Sequence, residues 1–412
     1  MAQQVDRAGT DGQVIPFLKM GDLWLNKYCS PGESWQNYPK APITVGFCPE
    51  SFLVQNFQQV DPNLLYSDYQ YISGINPHMV RHLRSVVKSC LPFVELEKDD
   101  VVLDIASNDG TLLKQYRELG ISCITVGYDP ATNLAGTAEQ NCDHHFPTLF
   151  EGYHFNNSFK KAKIITACAV VYHHPAPVQF LREVASCLAP EGVFFCEFSY
   201  LPSILKNNAI DSIGHEHLTH LSLKSFEFML EQAGLEIFRV ELGDINSGTI
   251  RCWIGHFVAH LPTSYDVCWI QALRYYEEQI GIPYEDLYYT WADEMDIKKQ
   301  EMKQLLQSWE GNIFAFGAST KGSILLQWLG LPIGRIECAI DVNPYKIGKE
   351  MVGLGIPIES EDFLVMHPPS ALLVLPWCFR DQFIEKQRLY LQQGGKMIFP
   401  FPHLEIVDKN SL

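Results

Sequence analysis

The sequence predicts an α/β protein with two separate parallel sheets, each covered by helices. Three observations predict it. Short apolar runs alternate with helix-patterned stretches between about residues 77 and 260, and the alternation restarts after residue 310. The third is size: 412 residues exceed what one core usually organises, so two or three domains are expected.

Taken in order, residues 1–70 read as irregular, rich in Pro, Asn, Gln and Tyr, with one apolar stretch near residues 43–47. Over 77–91, Met79, Leu83, Val86 and Val87 take helical spacing, and Pro92 closes the helix. VVLDI, CITVGY, KIITACAVV and GVFFCEF read as buried strands, with helix-like stretches at 111–119, 133–140 and 176–188. Short buried strands separated by helices make a parallel sheet with both faces covered. Two further strand-like runs, 235–242 and 249–257, surround Gly243 and an Asn-Ser-Gly turn as a β-rich edge. Residues 264–309 pattern as helices broken near Pro283. In the second unit NIFAFG, IECAID, ALLVLP and KMIFPF are strands and STKGSILLQWLG is a helix, a Rossmann-like arrangement. The expected division is a small irregular N-terminal domain (1–75), a central α/β domain (76–260), a helical connector (261–309) and a C-terminal Rossmann-like domain (310–412).

Composition narrows the function. A net charge of −17 without any basic cluster argues against a nucleic-acid partner, which needs grouped Lys and Arg. No run of about 20 apolar residues is present, so no membrane span is expected. The start, MAQQVDRAGTDGQ, lacks a charged segment followed by an apolar run, so no secretion signal is expected. The twelve cysteines show no paired spacing, which fits reduced thiols and a cytoplasmic protein acting on a small molecule.

The stretch VVLDIASNDGTLLKQY is a strand ending at Asp104, a loop of small residues and a helix starting near Thr111. Doubly wound sheets bind ligands at such a strand end. Gly110 lets the backbone approach closely; Ala106, Ser107 and Asn108 complete the loop. After the next strand come Asp129, Pro130 and Asn133, and Asp129 can accept from ribose hydroxyls. With one glycine, the loop misses G-x-G-x-x-G, the pyrophosphate signature, and suits S-adenosylmethionine, which has no pyrophosphate. The fold then expected is a class I Rossmann-like methyltransferase domain. The plain alternative is an ordinary α/β turn capped by Asp109.

Two histidine-rich segments follow strands on that same edge: VVYHHPAP, with His173 and His174, and DSIGHEHLTHLS, with His215, Glu216, His217 and His220. Three readings stay open. Glu216, His217 or His173 could remove a proton beside a carbonyl, giving a carbon nucleophile for the sulfonium methyl. The segment could bind metal, although Thr219 breaks H-E-x-x-H. The histidines could also be hydrogen-bonded at a domain seam.

The ordered series LVQNFQQVDPNLLYSDYQYISG, LDIASNDGTLL, GYDPATNLA, IDSIGHEHLTHLSL, SGTIR, FGASTKGSILL, DVNPYKIGK and LPWCFRDQF resembles the sugar C-methyltransferase family, from about residue 48 onward. The resemblance implies C-methylation of a nucleotide-linked keto-sugar held between the outer domains. It implies substrate or catalytic roles for Tyr69, Tyr71, Ser73 and His173, and the catalytic motif at Gly214, His215, Glu216 and His217. Arg251, Lys321, Asp341 and Arg380 become candidates for the acceptor or its anionic tail; a solvent-facing lysine is the plain reading of Lys321. N- or O-methylation, or donor binding without catalysis, are the alternatives.

Departures from the family pattern cluster in the pocket. Its four-cysteine zinc site is reduced to Cys29 and Cys48, the second pair reading Cys48-Pro49-Glu50-Ser51, so structural zinc is not expected. The motif tyrosine is Gly214, the asparagine before His173 is Ala169, H-G-G-S-L-R reads Asn246-Ser247-Gly248-Thr249-Ile250-Arg251, and P-W-N carries Cys378. A kept scaffold with altered pocket residues implies a changed substrate.

Overall fold

The computed structural model describes residues 5–66, 69 and 71–412; the side chain of Asn246 lies outside the described residues. Three sheets organise the chain. The central one has seven strands in the order Leu235–Gly243, Thr249–His256, Leu188–Ser199, Ala162–Cys168, Val101–Ile105, Ile124–Tyr128, His144–Phe146. Its five sequential strands pair in parallel, and Thr249–His256 runs antiparallel between Leu188–Ser199 and Leu235–Gly243. Val101–Ile105 is buried at every position, as a strand covered on both faces must be. Apolar clusters lie on the two faces: Val86, Val102, Leu113 and Phe195 in one, Leu103, Ile165, Cys196 and Phe226 in the other. The helix Pro77–Cys90 begins where Asn76 accepts from His78 N at 2.9 Å with Pro77 at its first position.

The N-terminal segment is not irregular. Ile15–Trp24, Lys40–Cys48 and Leu53–Asn56 form an antiparallel sheet, closed by Thr219–His220 from the central part of the chain. Composition hid it for two reasons. Bulges between Pro16 and Leu18 and between Lys19 and Gly21 break the alternation of the first strand. The fourth strand comes from more than 150 residues away in sequence.

The C-terminal sheet has eight strands where four were expected: Glu405–Val407, Lys396–Phe399, Ala371–Val374, Ile313–Phe316, Ala339–Ile340, Ile356–Glu359, Glu350–Met351 and Tyr28–Cys29. The additions are strands of two to four residues, too short to carry a period. Tyr28–Cys29 crosses over from the N-terminal segment. Between the sheets lie the helices Ser264–Ile280 and Glu285–Ser308. Val45 and Phe47 of the N-terminal sheet, Tyr288 and Trp291 of the second helix, and Ile324 and Leu373 share one apolar cluster. Among the described residues no helix is long and apolar enough to cross a membrane.

Candidate active site

The bend after Val101–Ile105 demands small or polar residues. Ala106, Asn108 and Gly110 take φ of 58, 51 and 75°, the left-handed region that glycine adopts freely and Asn tolerates. A Cβ on Gly110 would stand 2.9 Å from Asn141 Cβ. In the adjoining strand Gly127 makes room for Ser107, since a Cβ there would fall 2.6 Å from Ser107 Oγ. That hydroxyl is buried and has no hydrogen-bond partner among the described residues, a state a ligand can relieve. Asp129 holds the bend: Oδ2 accepts from Asn108 N and Oδ1 from Ala131 N, both at 2.8 Å. Each oxygen keeps a lone pair for a ribose hydroxyl. Burial raises Asp129 above the usual carboxylate range and lifts Asp104 to about 7, although Thr166 Oγ1 donates to Asp104 at 2.6 Å. Pro130, partly buried, carries the chain out of the strand. A tight bend, an orphan hydroxyl and a ribose-competent carboxylate fit S-adenosylmethionine.

A short N-terminal stretch lies across this bend. Asn133 pairs with the backbone of Tyr69, donating to its carbonyl (3.0 Å) and accepting from its N–H (3.2 Å). Asn108 does the same for two residues, donating to Tyr71 O (3.0 Å) and accepting from Ser73 N (2.9 Å). Gly74 N donates to Asp109 Oδ2 at 2.9 Å. Tyr69 and Tyr71 are thereby placed beside the donor bend, Tyr71 45 % exposed.

From there the site continues into a column of rings. Tyr66 stacks on His173 with centroids 5.9 Å apart, and His173 stacks on His217 at 5.2 Å and 10°. Tyr172 meets both histidines edge-on. His217 Nδ1 contacts the Ser212 carbonyl, which can only accept, so Nδ1 carries the proton and Nε2 is left with a lone pair. Glu216 Oε1 lies 3.8 Å from that Nε2. Burial lowers His217 to about 4 and raises Glu216 to about 7, the latter opposed by the charges of Lys321 and Lys27. His173 is also held neutral by burial, and its Nε2 has no partner among the described residues. His215 turns to the N-terminal sheet, donating Nε2–H to Ala41 O at 2.8 Å.

The remaining candidates separate. Lys321, in the first turn of Thr320–Leu329, donates to Ser212 Oγ at 3.0 Å and joins the histidine loop. Asp341 accepts from Ala318 N (2.9 Å) and Asn343 N (2.8 Å), with Lys346 Nζ at 3.4 Å, so it shapes the turn before that helix. Arg251 belongs to a buried network: it donates to Glu197 Oε1 (3.2 Å) and His82 Nδ1 (2.7 Å), while His82 Nε2 and Thr249 Oγ1 reach Glu197 at 2.7 Å each. Burial works against that carboxylate, but His82, Arg251 and Thr249 outweigh it and leave Glu197 below its usual range. Arg380 is not brought to the site; it forms a two-pronged pair with Glu405 at 2.8 and 2.7 Å. Among the described residues no three His, Cys, Asp or Glu side chains converge as metal ligands.

Sequence reading missed Tyr66, Tyr172, Ser212 and Thr166. Tyr172 adjoins His173, and Ser212 lies within the histidine segment, so proximity was a usable signal. Tyr66 and Thr166 gave none.

Residues 77–240 match the family model "Methyltransferase domain", and residues 244–402 match "C-methyltransferase C-terminal domain". The C-methyltransferase NovU of Streptomyces niveus is 30% identical over 377 residues, 90% of this chain and 88% of that protein. Two solved structures each resemble less than half of the chain. An S-adenosylmethionine-dependent methyltransferase from Clostridium acetobutylicum matches at TM-score 0.34 and 13% identity, covering 45% of this chain and 92% of that one. The mitomycin 7-O-methyltransferase MmcR matches at 0.34 and 14%, covering 44% and 55%. Two matching family models and a relative 30% identical across nine-tenths of the sequence lead to one assignment: the chain belongs to the C-methyltransferase family and transfers the methyl group of S-adenosylmethionine to carbon of a small molecule.

Proposed function

We propose that the acceptor is a carbon acid beside a carbonyl, on a nucleotide-linked sugar or a related biosynthetic metabolite, and that Glu216 and His217 take its proton. The observation that carries this reading is the His217 tautomer. With Nδ1 committed to Ser212 O, Nε2 is an unprotonated base 3.8 Å from Glu216 Oε1. Removing the proton leaves an enolate, whose oxygen needs a donor. His173, parallel to His217, and Lys321, beside Ser212, are the groups we assign to that charge. Tyr69 and Tyr71 line the acceptor's path from the donor side.

Donor binding we assign to Asp104, Ala106, Ser107, Asn108, Gly110, Asp129, Pro130 and Asn133. S-adenosylmethionine supplies an electrophilic methyl when bound; the chain holds and orients it, and burial of the base loop keeps water away. His215 positions the loop through Ala41. Arg251 holds the Glu197 network, and Asp341 sets the turn that presents Lys321; Arg380 reaches an acceptor only if it leaves Glu405. We retain the four segments 1–75, 76–260, 261–309 and 310–412 as functional units, the first and last flanking the acceptor. All twelve cysteines are free, which supports a reducing compartment, the cytoplasm.

His217→Ala and Glu216→Gln test the assignment. Calorimetry should give unchanged affinity for S-adenosylhomocysteine, while turnover falls on the order of 10²–10⁴-fold. Turnover near the parent level in both variants would remove the base pair from the reaction.

A further inference from the structure

Gly214 is buried where the base loop meets both flanking units, and nothing in its backbone requires glycine, since its φ is not positive. Unlike Gly110 and Gly127, it also relieves no clash. A Cβ there would meet nothing nearer than Ile324 Cδ1 and Cγ1 at 3.7 Å and Asn26 Nδ2 at 4.0 Å, ordinary contact distances. Among the described residues the missing side chain therefore leaves room for a methyl-sized group.

Two amides lie against Gly214. Asn56, 2% exposed, donates Nδ2 to Gly214 O at 2.9 Å, and among the described residues its Oδ1 has no partner. Its orientation is fixed, because turning the amide would set oxygen against a carbonyl. Asn26, whose Nδ2 stands 4.0 Å from the place of a Gly214 Cβ, likewise has a buried Oδ1 with no partner among the described residues. Both orphan atoms are acceptors, so whatever satisfies them must bring N–H or O–H groups. Two residues along the loop lies Glu216, the group assigned to proton removal.

We infer that Gly214 opens a notch for a hydrogen-bond-donating substituent of the acceptor, a hydroxyl or an amino group, and that Gly214, Asn26 and Asn56 select acceptors that carry one. The inference rests on the proposed acceptor class and narrows it. A substrate without the donor group leaves both oxygens desolvated and unpaired, which is how polar pockets discriminate strongly.

The full chain, loaded with S-adenosylhomocysteine, is titrated calorimetrically with three nucleoside-diphosphate keto-sugars. They differ only in bearing a hydroxyl, an amino group or hydrogen on the carbon adjoining the one to be methylated. One of the first two should bind roughly tenfold or more tightly than the hydrogen form, and the tighter of them names the substituent. Gly214→Val should erase that preference and leave the affinity for S-adenosylhomocysteine unchanged. Gly214→Ala, whose Cβ makes only ordinary contacts, should reduce it and guards against a Val variant that fails to fold. Equal binding of the three sugars, or a preference that survives both substitutions, overturns the notch and leaves the acceptor class standing. Binding of none of them removes the acceptor class, and the notch with it.

Discussion

His220 lies behind His217, ring centroids 6.5 Å apart, and its Nε2 has no hydrogen-bond partner among the described residues. Burial, then the neighbouring His217, lowers it from 6.5 to about 3. Between those values the unfolded chain binds more protons than the folded one, so this stability is complete above pH 6.5 and is lost as pH falls. His220→Gln should therefore lose about 2 kcal/mol less than the parent between pH 7.5 and 5 in urea unfolding. Glu216 has the opposite sign. Raised to about 7, it contributes stability below its usual 4.5 that is lost as pH rises through 7. Acting as a base it must be ionised, so kcat should climb through about pH 7, and a Glu216→Gln profile should lack that limb. The H-E-H triplet was legible because three titratable residues in three consecutive positions stand out in a chain only 19% charged. The stack that orders them was not, since Tyr66, His173 and His217 meet across more than 100 residues of sequence.

At the scale of elements, the donor bend depends on two glycines for different reasons. Gly127→Ala drives a methyl into Ser107 Oγ without touching a positive φ, so it should weaken S-adenosylhomocysteine binding with the fold retained, as read by calorimetry beside circular dichroism. Gly110→Ala forces a Cβ into the left-handed region and against Asn141, and should lower stability by about 1–3 kcal/mol in denaturant unfolding. This loop and the strands around it were readable because VVLDI and KIITACAVV are continuous apolar runs, the mark of parallel strands buried on both faces. IPFLKMGDLW was not, because two bulges shift its inward-facing residues off a period of two. Nor were Tyr28–Cys29 and Glu350–Met351, where pairing across the chain decides what two residues become.

The whole molecule is interleaved. The N-terminal sheet borrows Thr219–His220, the C-terminal sheet borrows Tyr28–Cys29, and Trp377 Nε1 donates to the buried Asp211 Oδ2 at 2.9 Å. Trp377→Phe deletes that donor and should cost about 1–3 kcal/mol. Because Asp211 adjoins Ser212, whose carbonyl sets the His217 tautomer, thermal unfolding and kinetics together should show kcat falling further than donor affinity. The base loop is thus clamped from both sides, by Trp377 ahead of it and by the pairing of His220 with Val54 behind it. The bend at Ala106–Gly110 belongs to the middle sheet and to the 69–74 stretch laid across it. On the proposed roles, a molecule whose flanking sheets have not yet docked would carry the sulfonium nucleoside while lacking the group that raises a carbanion against it, so completing the architecture is what would arm the chemistry.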